Sequence, residues 1–241
     1  MMGERLKTAQ TFMKYNFSIA GIAFAALLTG CMTPPQLAVP VSPTAFAAPA
    51  NSYGIVMTAL PAVDTQFPGA GCLLCMAAAS VANSSLTSYT KTLQTEDLGK
   101  VHLEVAEALR KKGASVKMID NIDFSKLPDN NNTKPNFARK DFTGLKAQYN
   151  VDKLMVISVT MVGIERSYAS YVPTSDPKAR VAGVSYIVNL NDNSLEWYLP
   201  LDVSKASDGK WDEPPKFPGL TNAYFQSLEL AKDRIVKPLA Q

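Results

Sequence analysis

The chain has 241 residues, of which 46% are hydrophobic and 19% are charged. Its formal net charge is only +3, from 24 Lys and Arg residues against 21 Asp and Glu residues. The apolar fraction fits a globular protein, and the weak, dispersed charge excludes the concentrated positive surface that nucleic-acid binding needs.

The first 30 residues have the features of a bacterial export signal. Arg5, Lys7 and Lys14 form a basic start, and an uncharged apolar run follows at residues 17–28. A run of about twelve residues is too short to span a bilayer, which takes about 20, but it has the length of the apolar part of a signal peptide. We therefore predict a cleaved signal peptide over residues 1–30.

The apolar run ends in the sequence LTGC at residues 28–31, which resembles the lipobox of bacterial lipoproteins. The resemblance implies cleavage before Cys31 and acylation of that cysteine. Several acyl chains hold a protein firmly, because each buried methylene contributes about 0.8 kcal/mol. Met32 follows where an aspartate would signal retention, so the resemblance implies the periplasmic face of the outer membrane. The alternative is an ordinary signal peptide that has a cysteine at its cleavage site.

Residues 32–52 are rich in proline and small residues and carry no charge. Proline lacks a backbone donor and favours extended conformations. We predict that residues 31–52 are a lipidated tether that can span roughly 60 Å. Residues 53–241 are then a single globular domain of ordinary size.

Apolar spacing and turn residues in this domain predict nine helices and strands. In chain order they are a strand over residues 53–60, helices over 70–93 and 95–113, a strand over 114–120, a helix over 141–149, strands over 153–164, 184–190 and 195–199, and a helix over 221–236. We expect Thr95 to cap the second helix and Pro238 to end the last one. The order β-α-α-β-α-β-β-β-α predicts an α/β fold of the α+β sandwich type. In such a fold, a mixed sheet of about five strands has helices packed mainly on one face.

Two segments resemble a group of periplasmic α/β modules. They are YNVDKLMVISV at residues 149–159 and VSYIVNLNDNSLEWYL at residues 184–199. The modules include the amino-terminal domain of TolB and the core of the curli-secretion lipoprotein. The distinctive segments PGAGCLLC, YVPTSDPKA and EPPKFPGLTNAY also resemble an uncharacterised family of bacterial outer-membrane lipoproteins. These resemblances imply a fold and an envelope location but no activity.

The sequence GAGCLLCM at residues 69–76 places Cys72 and Cys75 at the start of a predicted helix. Outside the cytoplasm oxidised pairs persist. We therefore expect buried thiols or a local disulfide in the first turn, with Leu73 and Leu74 favouring burial. One alternative is thiol exchange, because the pattern resembles the C-x-x-C of thioredoxin-type proteins and a helix amino terminus stabilises a thiolate. Another is a metal site, although zinc needs four ligands and the chain has one histidine.

We expect no catalytic residue, no metal and no cofactor other than the lipid on Cys31. His102, the only histidine, is predicted at the border of a buried helical stripe, and the chain lacks G-x-S-x-G, H-E-x-x-H and phosphate-loop motifs. Asp120, Asp123 and Asp129 lack the spacing of calcium-binding hands. We expect them in a solvated turn.

The connection at residues 165–180 is the first candidate interface. It carries Arg166, Tyr168, Tyr171 and Arg180. Tyrosine and arginine are enriched in protein interfaces, and long connections at a sheet end often have binding roles. The alternative is that this loop packs on its own domain.

The segment at residues 208–220 is the second candidate. It holds Trp211 and Phe217 among prolines, which would form a rigid aromatic platform for a peptide or a sugar. The alternative is that both rings cover an edge of the core.

Together these features predict an outer-membrane-anchored periplasmic lipoprotein that is not an enzyme. We expect it to act as an assembly, scaffold or binding component of an envelope complex. Its partners would be the bilayer, through the acyl chains, and an envelope protein or a second copy of the chain. The alternatives are a periplasmic thiol-disulfide oxidoreductase that uses Cys72 and Cys75, and a peptidoglycan or sugar binder.

Overall fold

The computed structural model describes residues 35–46 and 52–240. The predicted signal peptide, the predicted acylation site Cys31 and part of the predicted tether lie outside these residues. Among the helices of the described residues, none has the length and hydrophobicity needed to cross a membrane.

A mixed sheet forms the centre of the fold. The strands of the described residues are β1 (Ser52–Met57), β2 (Asp64–Gln66), β3 (Ser115–Ile119), β4 (Lys153–Glu165), β5 (Tyr168–Ala169), β6 (Val172–Pro173), β7 (Lys178–Asn189) and β8 (Leu195–Ala206). The main sheet has the order β3-β1-β4-β7-β8, with β2 also paired to β4, whereas β5 and β6 form a separate short hairpin. β1 runs parallel to β3 and β4, and β7 runs antiparallel to β4 and β8.

The helices cover mainly one face of this sheet. They are α1 (Leu73–Ala82), α2 (Ser84–Thr90), α3 (Val101–Lys111), α4 (Gly144–Tyr149) and α5 (Pro218–Ala240), with short 3-10 turns at Pro43–Phe46, Glu96–Lys100 and Phe124–Lys126. Residues of α3 and α5 form the larger core with Met155 and Ile157 of β4. α4 packs on the other face, against Leu154 and Val156. Because successive side chains of a strand point to opposite faces, β4 is buried on both sides, and the predicted fold class is confirmed.

Several element boundaries differ from those predicted. The helix expected over residues 70–93 is divided at Asn83, which lies between α1 and α2. Thr95 makes no side-chain capping bond, and α3 begins after a 3-10 turn. Pro238 does not end α5, because the next residue, Leu239, is fully buried and its packing keeps the last turn helical. α5 also starts earlier than expected, at Pro218, since proline suits the first position of a helix.

Part of the predicted tether packs on the domain, and we call residues 37–46 the N-terminal arm. Val39 exchanges two backbone hydrogen bonds with Tyr198 on the outer edge of β8, at 2.9 and 3.0 Å. The N–H of Ser42 donates to the carbonyl oxygen of Glu196 at 2.7 Å. Prolines are compatible with this position because an edge segment needs only some of its N–H groups for pairing. In this stretch the structure therefore differs from the prediction of a free tether.

A buried ion pair holds the arm in place. The side chains of Lys153 and Glu196 are only 3% and 7% exposed, and Lys153 Nζ lies 2.7 Å from Glu196 Oε2. The same ammonium donates to the carbonyl oxygens of Thr44 and Ala45, at 2.7 and 2.8 Å. The hydroxyl of Tyr53 also donates to Ala45. Burial, with a smaller contribution from the charge of Glu196, raises the pKa of Tyr53, so this hydroxyl stays protonated and remains a donor.

The variant Lys153→Met tests how much the fold depends on this pair. It leaves the carboxylate of Glu196 buried without its counter-charge, so we expect the free energy of unfolding to fall by about 3–5 kcal/mol. Urea unfolding measures the change. The control is Lys237→Met, which removes an exposed ion pair with Asp233 and should cost less than about 1 kcal/mol. Equal losses in the two variants would show that the buried pair has no special role.

Candidate functional site

The two cysteines of the sequence GAGCLLCM form a disulfide in the first turn of α1. Cys72 is the N-cap residue, and its Sγ accepts a hydrogen bond from the N–H of Cys75 at 2.9 Å. Cys72 is exposed, whereas Cys75 is only 3% exposed. Of the alternatives that the sequence left open, the structure has the local disulfide, with one accessible and one buried partner.

Helix α1 exposes most of its apolar side chains. Only Cys75 and Ala79, which lie one turn apart, are buried. The large side chains of the helix are exposed: Leu73 by 92%, Leu74 by 72%, Met76 by 43% and Val81 by 76%. No residue of the helix is charged. The expectation that the apolar neighbours of the cysteines are buried is therefore wrong, because α1 docks on the domain through a single row of small residues.

The β5–β6 hairpin lies beside the first turn of α1. The N–H of Tyr168 donates to the carbonyl oxygen of Pro68 at 2.8 Å, and Tyr171 Oη lies 3.7 Å from Cys72 Sγ. Tyr171 and Val172 are 55% and 64% exposed. The exposed apolar residues of the helix and the hairpin together form what we call the α1 surface: Leu73, Leu74, Met76, Val81, Tyr171 and Val172.

A glycine permits this close approach of the hairpin. Gly69 has a φ of +88°, and a Cβ at this position would lie 1.8 Å from the carbonyl oxygen of Tyr168. Only glycine adopts such a conformation without strain and also leaves room for the neighbouring backbone. The GAG sequence before Cys72 therefore helps to place the hairpin next to α1.

A buried polar network supports the α1 surface from below. Asn83, at the end of α1, is 3% exposed. Its Nδ2 donates to Tyr168 Oη at 2.6 Å and to the carbonyl oxygen of Ala79 at 2.8 Å, while its Oδ1 accepts from Arg166 Nη1 at 2.9 Å. The Tyr168 ring packs edge-on against Phe67, with centroids 5.8 Å apart. Because every polar group of this asparagine side chain has a partner of defined geometry, α1 and the hairpin are held in one arrangement.

The two predicted interface segments meet at Arg166. Its guanidinium lies 5.0 Å from the centroid of the Trp211 ring, in a cation–π contact. Trp211 stacks on Phe217 at 6.1 Å, and Phe217 contacts Tyr89 at 5.6 Å. The side chains of Arg166, Trp211 and Phe217 therefore contact other residues of the same domain. This is the alternative given above for both segments. Tyr171 is the predicted interface residue whose side chain is mostly exposed.

Arg180 lies apart from this network. It is on β7 and forms ion pairs with Glu165 of β4 and with Asp202 of β8, the latter at 3.0 Å. Hydrogen bonds, first to Asp202 and then to Glu165, raise the pKa of its guanidinium. Arg180 therefore links three neighbouring strands on the surface of the sheet.

The described residues contain no group of three or more His, Cys, Asp or Glu side chains that could hold a metal ion. His102 is half-buried on α3 and lines an open groove near the carboxyl ends of β1 and β3. Asp120 lies on the same groove, whereas Asp123 pairs with Lys126 and Asp129 with Lys140. The three aspartates thus have different surroundings.

Sequence reasoning missed the α1 surface, although the sequence contains a signal for it. The segment LLCMAAASVA has apolar residues on all sides and no charge. A helix of this kind is either buried all round or in contact with another apolar phase. Local pattern alone does not distinguish these two outcomes.

No family model and no curated protein matches this chain. Several solved structures show a weak likeness, including the following three. Two are PelC dodecamers from Paraburkholderia phytofirmans. The L103M form is 8% identical, covers 86% of this chain and 96% of its own, and has a TM-score of 0.30. The other is 9% identical, covers 86% and 93%, and has a TM-score of 0.28. The third is a putative neuraminyllactose-binding hemagglutinin homolog from Helicobacter pylori, 12% identical, covering 86% and 91%, with a TM-score of 0.34. No conclusion about this chain rests on these low scores.

The variants Tyr168→Phe and Tyr171→Phe test the buried hydrogen-bond network of Asn83 that underlies the α1 surface. Loss of the buried Tyr168 hydroxyl removes its hydrogen bond to Asn83, and we expect the free energy of unfolding to fall by about 1 kcal/mol. Loss of the exposed Tyr171 hydroxyl should change it by less than about 0.5 kcal/mol. Urea unfolding of both variants gives the comparison. A larger loss for Tyr171→Phe would contradict the network described above.

Proposed function

We propose that this chain is an envelope lipoprotein, anchored by acyl chains on Cys31 at the periplasmic face of the outer membrane. Its domain acts by noncovalent association, as a scaffold or assembly component. The association surface is the α1 surface, and its partner is a component of the envelope membrane: a lipid, an envelope protein or a second anchored copy.

The α1 surface is the observation that carries this proposal. Its six side chains are large and apolar, each is at least 43% exposed, and the four on α1 lie on an uncharged helix. Contiguous apolar patches on soluble proteins are usually small, and a larger one marks a place of association. The buried contacts of Asn83 hold this surface in a fixed geometry, which lowers the entropy cost of binding. The LTGC sequence supports the location, because it predicts that the same chain is attached to a membrane.

The mature chain from Met32 onward, made without acyl chains, tests the surface apart from the anchor. We expect it to cosediment with isolated envelope membranes. The double variant Leu73→Ser/Val81→Ser should bind at least about tenfold more weakly, because each large side chain contributes roughly 1.5–3 kcal/mol when it is buried.

Leu103→Ser/Leu230→Ser is the matched control, because these leucines are 50% and 40% exposed on α3 and α5. It should bind like the unchanged chain. Equal weakening in both double variants would refute the role of the α1 surface. Separately, mass spectrometry of the protein from its native membrane should find acyl groups on Cys31, and an unmodified N-terminus would refute the anchor.

A second candidate function is thiol-disulfide exchange, and the difference in burial between the two cysteines favours it. A thiolate of a dithiol substrate would attack Sγ of the exposed Cys72 and release Cys75 as a thiolate. The second substrate thiol would then displace Cys72, so that the substrate is oxidised and both cysteines are reduced. The sugar-binding alternative has no such support in the described residues, because the Trp211 ring already contacts Arg166 and Phe217.

Single-cysteine variants test this second function. In Cys75→Ala the exposed thiol of Cys72 should form mixed disulfides with envelope proteins, which appear as slower bands on non-reducing gels. In Cys72→Ala the remaining thiol is buried, so these bands should be absent. If neither variant forms them, or both do so equally, the oxidoreductase function is excluded.

A further inference from the structure

We propose that the α1 surface inserts into the same bilayer leaflet that holds the acyl chains, so that lipid is the partner of this site. This inference rests on the proposed function, because it requires the anchor on Cys31. It adds the identity of the partner and a second point of contact between domain and membrane.

The direction of the N-terminal arm is the first argument. Val39 pairs with Tyr198, and three residues later Ser42 bonds to Glu196. The arm therefore runs antiparallel to β8. A later residue of the arm contacts an earlier residue of β8. The N-terminal end of the arm therefore points toward Ala206, the last residue of β8.

That end of the sheet also carries the α1 surface. Ala206 pairs with Lys178 of β7, and Lys178 pairs with Glu165, the last residue of β4. The β5–β6 hairpin begins three residues later, at Tyr168, and its Tyr171 contacts Cys72 at the start of α1. The arm and the α1 surface are therefore directed to the same end of the domain.

The length of chain before the arm is the second argument. Cys31 is six residues before Leu37, and six residues span at most about 20 Å even when fully extended. A free tether over residues 32–52 would reach roughly 60 Å and would leave the domain without a preferred orientation. Because residues 37–46 are docked, the tether that remains between the domain and the acyl chains is these six residues instead of the whole of residues 32–52.

The shape of α1 favours lipid over a protein partner. Successive residues of an α-helix are 100° apart, so Met76, Leu73, Val81 and Leu74 cover about 160° of its circumference. The side chains of the helix that are buried in the domain, Cys75 and Ala79, lie on the opposite side. A one-sided apolar arc on a protruding helix is the part that an interfacial helix buries in the acyl region of a bilayer.

The composition of the surface also suits the boundary between lipid and water. Leucine, methionine and valine side chains enter the acyl region, and tyrosine is enriched at the level of the headgroups. Interfacial helices place their apolar face about 5–10 Å into this boundary. Tyr171, on the hairpin, would lie at the headgroup level beside the exposed end of α1.

Tryptophan fluorescence in protein-free vesicles tests this inference with the full acylated chain. The vesicles contain phosphatidylethanolamine and phosphatidylglycerol with brominated acyl chains, which quench only nearby indoles. The probe is Leu73→Trp and the control is Leu103→Trp, an exposed position on α3. We expect the added fluorescence of Leu73→Trp to fall at least twofold, and that of Leu103→Trp to change little after the wild-type signal is subtracted.

Four results would overturn the inference. Equal quenching at both positions would mean that the α1 surface has no preferred contact with lipid. Absence of quenching at position 73 in protein that floats with the vesicles would exclude insertion and leave the proposed function intact. Insertion into lipid would also be excluded, and the proposed function left intact, if the indole at position 73 were shielded from solvent in native envelope membranes but not in the protein-free vesicles. Its partner would then be an envelope protein. Protein that carries no acyl chain and does not float would refute both proposals.

Discussion

The buried pair of Lys153 and Glu196 joins three parts of the chain that are far apart in sequence. Lys153 begins the central strand, Glu196 lies on an outer strand, and the two carbonyl groups that share the ammonium belong to Thr44 and Ala45 of the arm. An ammonium in the protein interior needs such partners, because an unpaired buried charge costs several kcal/mol. The pair therefore helps to hold the arm in its position beside β8.

A second junction, at Asn83, has the same role at the other end of β4. Asn83 ends α1 and bonds to both Tyr168 and Arg166, so it connects the helix to the segment that follows β4. The apolar core alone would not fix the position of α1 on the domain, since only Cys75 and Ala79 of this helix are buried. A few directional contacts thus position a helix that contributes little to the core.

The Lys153–Glu196 pair and the Asn83 contacts lie at opposite ends of β4, so the two ends of the domain differ in structure. β4 has 13 residues, about 40 Å at the usual rise of a strand, with the ion pair at its start and the α1 surface after its end. The arm runs antiparallel to β8, so its N-terminal end points toward the end of the sheet that carries the α1 surface. If the proposed anchor on Cys31 is present, this arrangement would orient the domain at the membrane through the fold and not through a flexible tether.

The sequence by itself predicted the longer helices and strands in the right order, but it missed the short strands β2, β5 and β6 and the division between α1 and α2 at Asn83. Leu98, Val101, Val105 and Leu109 recur at helical spacing and are all fully buried, and β7 and β8, which include the strands predicted over 184–190 and 195–199, pair as neighbours. These signals are local, because each depends on neighbours within a few residues. Only the tertiary structure decided that Leu73 is exposed and that the arm is docked. Burial of a side chain and pairing of a charge depend on residues that are distant in sequence and close in space, such as Lys153 and Glu196. A local sequence pattern does not specify which distant residue will make the contact.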